Sequence, residues 1–250
     1  VKWHNVIDIN CDLGEGCRSE QWEQDEALMS WISSCNIACG GHAGNMESIR
    51  VSVANAMVHH LKIGAHPGYP DPDHFGRVSL SLSEKALRNT LRQQVELLAE
   101  ACAQQGEVLH HVKPHGALYN DAAVALDLAG LIAEEIRAVR QDLILVGLAQ
   151  SQMYHAALSV GLPFWQEGFI DRAYLPDGQL VPRSHPLALH SSLDSCLDQA
   201  EALVRGMPVR AVDGTPVMLK VDTLCVHGDT PGALTMLQAL NQRLCEIFKS

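Results

Sequence analysis

The chain has no block of Lys and Arg, no C-x-x-C pair, no apolar run of membrane length and none of the glycine-rich signatures of a nucleotide site. Each absence closes a class of function. With 18 Lys and Arg against 29 Asp and Glu, the net charge of −11 offers no surface for nucleic acid or an anionic membrane. No run reaches the roughly 18 apolar residues of a membrane span, and Val1-Lys2-Trp3-His4-Asn5 lack the apolar stretch of a signal peptide. The expectation is a soluble, cytoplasmic protein. The eight cysteines have no paired spacing and read as buried reduced thiols; only Cys11 and Cys39 lie among polar residues that could activate a thiol. There is no GxxxxGK[ST] loop, no GxGxxG after the first strand and no GxSxG elbow, so a nucleotide, if used, needs an unfamiliar site or a partner chain. Linkers, low-complexity segments and short repeats are also missing, and 250 residues at 47% hydrophobic and 19% charged suit one domain over 1–250.

What is present is a rhythm. Seven short apolar runs, Val6 to Asn10, Ile37 to Cys39, Ile63 to Ala65, Leu109 to Val112, Leu143 to Leu148, Phe164 to Phe169 and Val217 to Val226, read as buried parallel strands. Six of the seven end in ionisable or small polar residues: Asn10 to Glu15, Cys39 to His42, His66 to Gly68, Lys113 to Gly116, Asp171-Arg172 and His227 to Asp229. In an open doubly wound sheet such groups gather at one switch point; spread over nearly every strand end, they point to a TIM-like (β/α) barrel, seven-stranded and irregular. The chain therefore reads as an enzyme.

Between the strands, Ser83 to Gln105 repeats Leu87, Leu91, Val95, Leu98 and Cys102 at helical spacing, and Gly106 stops it. A second helix is expected over Asp121 to Arg140. A last one is expected from Thr230, with Pro231 at its first position and Leu234, Leu237, Leu240, Leu244 and Phe248 on one face. The loops His66 to Leu80 and Asp171 to His190 have the length of lids or substrate clamps, the second folding back around Asp177-Gly178.

Several chemistries fit these residues. Asp12 and Glu15, close on a tight turn, can serve as acid and base or bind a metal, or simply cap the turn and a helix start. His42 and His66 leave adjacent strands and with Asp12 form a candidate two-His, one-carboxylate metal triad, against a bland reading of two backbone-satisfied imidazoles. Lys113 and His115 flank Pro114. The lysine can steady an oxyanion and the histidine can move a proton, or Lys113 is a structural partner of Asp12 or Asp229. His111 is too far along a strand from His115 to pair with it on one ion. Arg77, Arg172 and Arg183 can hold a carboxylate or phosphate, or tie loops down. His227 and Asp229 could orient a base, or Asp229, just before Thr230-Pro231, is a helix-entry residue.

These segments resemble the LamB/YcsF family, which is associated with the A component of the prokaryotic 5-oxoprolinase. The resemblance rests on 8–16 (DINCDLGEG), 36–44 (NIACGGHAG), 63–67 (IGAHP), Phe75-Gly76-Arg77, 111–120 (HVKPHGALYN), Asp171-Arg172, 180–184 (LVPRS) and 227–229 (HGD), and spans nearly the whole chain. Cys11, Gly41 and Gly68-Tyr69 depart from it where alanine, an aromatic and Ser-Phe are usual. It implies a barrel similar to the glycoside hydrolase/deacetylase superfamily and ATP-dependent opening of the 5-oxoproline lactam to L-glutamate. It also implies partner subunits B and C, with ATP and Mg²⁺ handled by those partners. On this reading Asp12, His42, His66, Lys113 and His115 are catalytic. Asp12, His42 or His66 activates water and His115 protonates the leaving nitrogen, while Glu15, Arg77, Asp171, Arg172, Arg183, His227 and Asp229 bind substrate. A divalent metal in the barrel and a homo-oligomer stay open. So do two rivals: a stand-alone metal-dependent amide or carbohydrate deacetylase-like hydrolase, and a non-catalytic 5-oxoproline-binding subunit.

Overall fold

The computed structural model describes residues 7–228, 230 and 232–248. Seven parallel strands close into a barrel: β1 (Asp8–Leu13), β2 (Ser34–Ala38), β3 (Lys62–His66), β4 (His111–Val112), β5 (Ile144–Leu148), β6 (Phe164–Phe169) and β9 (Thr223–Cys225), in chain order, with β9 returning to pair with β1. The expected barrel and strand number are both found. A separate antiparallel hairpin, β7 (Val209–Arg210) with β8 (Pro216–Val217), lies outside it. The long seventh run of the sequence is thereby split. Val217 belongs to the hairpin, whose Asp213-Gly214 turn reverses the chain, and only the stretch after Asp222 enters the barrel.

Eight helices surround the strands among the described residues: α1 (Ser19–Met29), α2 (Met46–Val58), α3 (Glu84–Gln104), α4 (Gly116–Val124), α5 (Leu126–Val139), α6 (Gln152–Val160), α7 (Leu193–Val204) and α8 (Ala233–Ile247). Helix α3 follows its periodicity, with Ser83 accepting the Ala86 N–H as N-cap and Leu87, Leu91, Val95, Leu98 and Cys102 buried. The single helix expected over Asp121 to Arg140 is instead two, bent at an extended Ala125. No Gly or Pro stands at the bend, so local propensity gives no warning. Packing decides it: α4 starts directly after His115, while α5 lies against α3 and α6. Helix α8 starts at Ala233 behind Gly232, later than Thr230; Pro231 lies outside the described residues. Its Leu237, Leu240 and Leu244 are buried while Leu234 and Phe248 stay exposed, and it packs on α7 and α1, over the seam where β9 meets β1. None of the described helices is long and apolar enough to cross a membrane.

Candidate active site at the carboxyl ends of the strands

Side chains alternate along a strand, so Asp8, Asn10 and Asp12 of β1 all face the barrel axis, each a layer above the last. The interior they enter is polar where such barrels usually hold Val, Ile and Leu. In the lowest layer Asp8 accepts from Ser34 Oγ (2.6 Å) and Thr223 Oγ1 (2.7 Å). In the middle one Asn10 Nδ2 donates to Thr223 (2.7 Å), Asn36 Nδ2 donates to Asn10 (2.8 Å), and His111 Nε2 lies 2.8 Å from Asn36 Oδ1. His111 is thus committed below the site and does not join His115.

The top layer carries the chemistry. Lys113, 2% exposed, places Nζ 2.9 Å from Asp12 Oδ1, 2.8 Å from Glu167 Oε1, 3.2 Å from Asn10 Oδ1 and 3.2 Å from Cys225 Sγ. Glu167 is fully buried, with the Lys113 ammonium as its ion partner and the buried Tyr119 hydroxyl beside it. Burial works against the Lys113 ammonium, but the carboxylates of Asp12 and Glu167 outweigh it and raise its pKa. Burial likewise favours a protonated Asp12, and here His66 and Lys113 reverse it and hold the carboxyl well below the usual range. The ion pair with Asp12, one of the two readings open from sequence, is what forms.

Beside it sit three imidazoles and a carboxylate. His66 Nε2 is 3.4 Å from Asp12 Oδ2 and 3.0 Å from His115 Nδ1. His42 stacks on His115 with ring centroids 3.5 Å apart, and its Nε2 is 3.2 Å from Glu15 Oε1. Glu15 is thus the carboxylate beside His42 and His115, while Asp12 reaches both His66 and the Lys113 ammonium. Gly14, with φ +73°, donates its N–H to Asp25 Oδ2 (2.8 Å) and turns the chain so that Glu15 points back over the barrel.

Across the mouth, His227 Nδ1 is 2.8 Å from Asp171 Oδ2 and its ring lies over Phe169. Asp171 is buried, with no partner for Oδ1 among the described residues; burial pushes its carboxyl up, and His227, then Arg172, pull it below the ordinary value. Arg172 is buried as well and donates to the Val181 (2.7 Å) and Ala188 (3.4 Å) carbonyls, which makes it a tie for the 171–190 loop. Burial lowers its pKa to about 10. Arg77 and Arg183 are exposed on the two long loops and line, with Asp12, Lys113 and His227, a cavity of about 520 Å³. The second loop folds back at Asp177-Gly178 as expected, with Leu175 N–H bonded to Gln179 O (2.7 Å). Asp229 lies outside the described residues. All eight cysteines are free, and burial raises the pKa of Cys11 and Cys39, the latter to about 12, so neither is an activated thiol.

Glu167, Tyr119 and Asn36 are the site residues that sequence reasoning passes over. Glu167 did carry a signal, being the lone acid inside an apolar strand.

The sequence profile of the LamB/YcsF family matches residues 7–247. The chain belongs to the LamB/YcsF family. Relatives from Bordetella pertussis and Bordetella bronchiseptica, named as the A component and as A component 1 of 5-oxoprolinase, are 44% identical over 239 residues, 96% of this chain and 95% of theirs. The crystal structure of a lactam utilization protein from Thermus thermophilus superposes with a TM-score of 0.90 at 35% identity, covering 97% of each chain. A β-mannanase from Alicyclobacillus acidocaldarius, with a TM-score of 0.55 and 11% identity over 97% of this chain and 98% of its own, shares the barrel alone.

The LamB/YcsF segments now have physical roles. In Phe75-Gly76-Arg77 the Phe75 carbonyl accepts from His115 Nε2 (2.9 Å), and Arg77 lies over the Phe75 ring. Gly76, at φ +60°, leaves the space where a Cβ would stand 2.7 Å from that of His42. The departure at Gly41 is filled by Gln94, whose Oε1 occupies the space a Gly41 Cβ would need. Gln94 also bonds both backbone groups of Gly68, the other departure (3.0 and 2.9 Å).

Proposed function

We propose that this chain is the A component of an ATP-dependent 5-oxoprolinase and opens the lactam ring of 5-oxoproline to L-glutamate with subunits B and C. The relatives' names and the lactam utilization neighbour support the substrate. The observation that carries the chemistry is Lys113, a buried cation between Asp12 and Glu167 on the floor of a cavity rimmed by Arg77 and Arg183. A lactam resists water because its carbonyl is stabilised by the ring nitrogen, so the partners, holding ATP and Mg²⁺, transfer the γ-phosphoryl group to the carbonyl oxygen. In this chain one water adds to the activated carbon and the C–N bond breaks with a proton delivered to nitrogen. A second water releases phosphate from the acyl phosphate and leaves glutamate.

Asp12, held ionised, takes the proton from water. Lys113 stabilises the oxyanion formed on the oxygen that this water adds, whose electron pair becomes the acyl carbonyl as the C–N bond breaks. The proton for nitrogen is delivered by Nε2 of His227 in its doubly protonated form, the Nδ1–H being locked on the Asp171 carboxylate so that Nε2 faces the reaction and is left neutral afterwards. His115 is a poor donor: its Nε2 proton is committed to the Phe75 carbonyl and burial holds the ring neutral. Arg77 and Arg183 hold the phosphoryl group or the substrate carboxylate, and Arg172 shapes the loop that presents Arg183.

Glutamate formation is to be measured with this chain, the partner subunits, ATP, Mg²⁺ and 5-oxoproline, omitting one component at a time. A requirement for all of them supports the reading, with His227→Gln slower by about 10²-fold. Glutamate, or another amide product, formed by this chain without ATP would replace it with the stand-alone hydrolase. Turnover unaffected by Asp12→Asn and Lys113→Met would leave only a binding role.

A further inference from the structure

We propose that Glu15, His42, His66 and His115 form a binding site for one divalent first-row transition ion of the zinc class. The proposal goes beyond the lactam reaction and does not depend on it.

The argument is one of lone pairs. His66 Nδ1 lies 2.7 Å from the Lys113 carbonyl oxygen, which can only accept, so this nitrogen carries the ring proton and Nε2 is bare. His115 Nε2 lies 2.9 Å from the Phe75 carbonyl oxygen, so its Nδ1 is bare in turn. The two bare nitrogens face each other at 3.0 Å. Lone pairs at that separation repel unless a cation or an extra proton stands between them. Backbone carbonyls holding the second nitrogen of each ring are the outer support that metal-binding imidazoles usually have.

Glu15 Oε1 completes the set, 3.6 Å from His115 Nδ1 and 3.2 Å from His42 Nε2, and one ligand atom from each of the four residues falls within 4.8 Å of every other. Ligand atoms about 2.0–2.1 Å from a tetrahedral zinc stand about 3.3 Å apart, which lies inside the spacing seen here. Three imidazoles and one carboxylate suit zinc or its neighbours and not Mg²⁺, which takes oxygen ligands. His42, whose buried Nδ1 has no partner among the described residues, stacks on His115 with the rings 4° from parallel, so it tilts out of that stack to bring Nε2 onto the ion. Glu15, His66 and His115 reach the cavity, which gives an ion a way in. The neighbouring group of Asp12, Cys225 and His227 is excluded as a second metal site, because its position for a cation is filled by the Lys113 ammonium.

The test is metal binding by the full chain, stripped with a chelator and titrated with Zn²⁺ and separately with Co²⁺, without partners or 5-oxoproline. Uptake of about one ion per chain is expected, with the intense visible absorption of four-coordinate Co²⁺, unaffected by millimolar Mg²⁺. Glu15→Gln and His42→Ala should bind at least about tenfold more weakly, while His74→Ala, altered at an exposed imidazole, binds as the parent does. If a variant is poorly folded, the rise in Tm of the parent with Zn²⁺, absent in Glu15→Gln, serves instead. No uptake by the parent, or equal affinity in Glu15→Gln and His42→Ala, overturns the proposal and assigns the gap between His66 and His115 to a shared proton. Either result leaves the 5-oxoprolinase reading where the glutamate assay puts it.

Discussion

Two lysine–aspartate pairs stand at opposite ends of the same barrel. At the amino ends of the strands Lys62 meets Asp8 at 3.3 Å. The lysine side chain is 40% exposed, and the aspartate is also bonded by Ser34 and Thr223. At the carboxyl ends Lys113 is buried between Asp12 and Glu167, two carboxylates on one ammonium. The lower pair is satisfied and partly hydrated, which is how a fold closes the end of a barrel. The upper cluster bears more buried charge than it neutralises, a costly arrangement that stability alone does not favour. The excess marks the end where substrate and cations complete the site.

The sharpest way to break this comparison is Lys113→Met. It strands Glu167 in the core and should cost about 3–5 kcal/mol in denaturant unfolding. Adding Glu167→Gln should recover much of that loss without restoring turnover. Next comes Gly76→Ala, which forces a Cβ against His42 at a positive φ and should cost about 2–3 kcal/mol by the same measurement. Asp25 sharpens the contrast through pH. Burial first, and Glu15 to a lesser extent, raise its carboxyl from 3.8 to about 6 despite the bond from Gly14. The folded state thus holds this proton more tightly than the unfolded chain. The stabilisation is full below pH 4 and is lost as pH rises through 6. Asp25→Asn keeps an acceptor for the Gly14 N–H, so it should flatten the fall in Tm between pH 4 and 6 and stabilise the protein at pH 7 by about 2 kcal/mol. The smallest effect belongs to the lower pair: Lys62→Met should change unfolding free energy by less than about 1 kcal/mol, because an exposed ammonium gains little from its partner. A cost near that of Lys113→Met would erase the distinction between the two ends.

Much of the site was legible because strand-end position is a local property. Asp12, His66, Lys113 and His115 follow apolar runs, and any (β/α) barrel turns such residues toward one mouth. Glu167 showed only as the lone acid of its run; that it faces inward is decided by β6 pairing with both β5 and β9. Arg172 looked like Arg77 and Arg183 in sequence. Only burial separates them, because its guanidinium is spent on two loop carbonyls. The choice of Glu15 over Asp12 as the carboxylate beside His42 turns on the left-handed Gly14. The break at Ala125 comes from packing between helices and has no local marker.

The sequence by itself determined the alternation of strand and helix, the polar strand ends, the cysteines' freedom from disulfides and the LamB/YcsF resemblance, all properties of short segments. Tertiary structure alone decided which charges meet. His66 and His115, 49 positions apart, meet where β3 pairs with β4, and Lys113 and Glu167, from strands that are not neighbours, come together only when the barrel closes and draws the strand ends around one axis. Distances across a barrel depend on strand tilt and register summed over all seven strands, and no local pattern contains that sum.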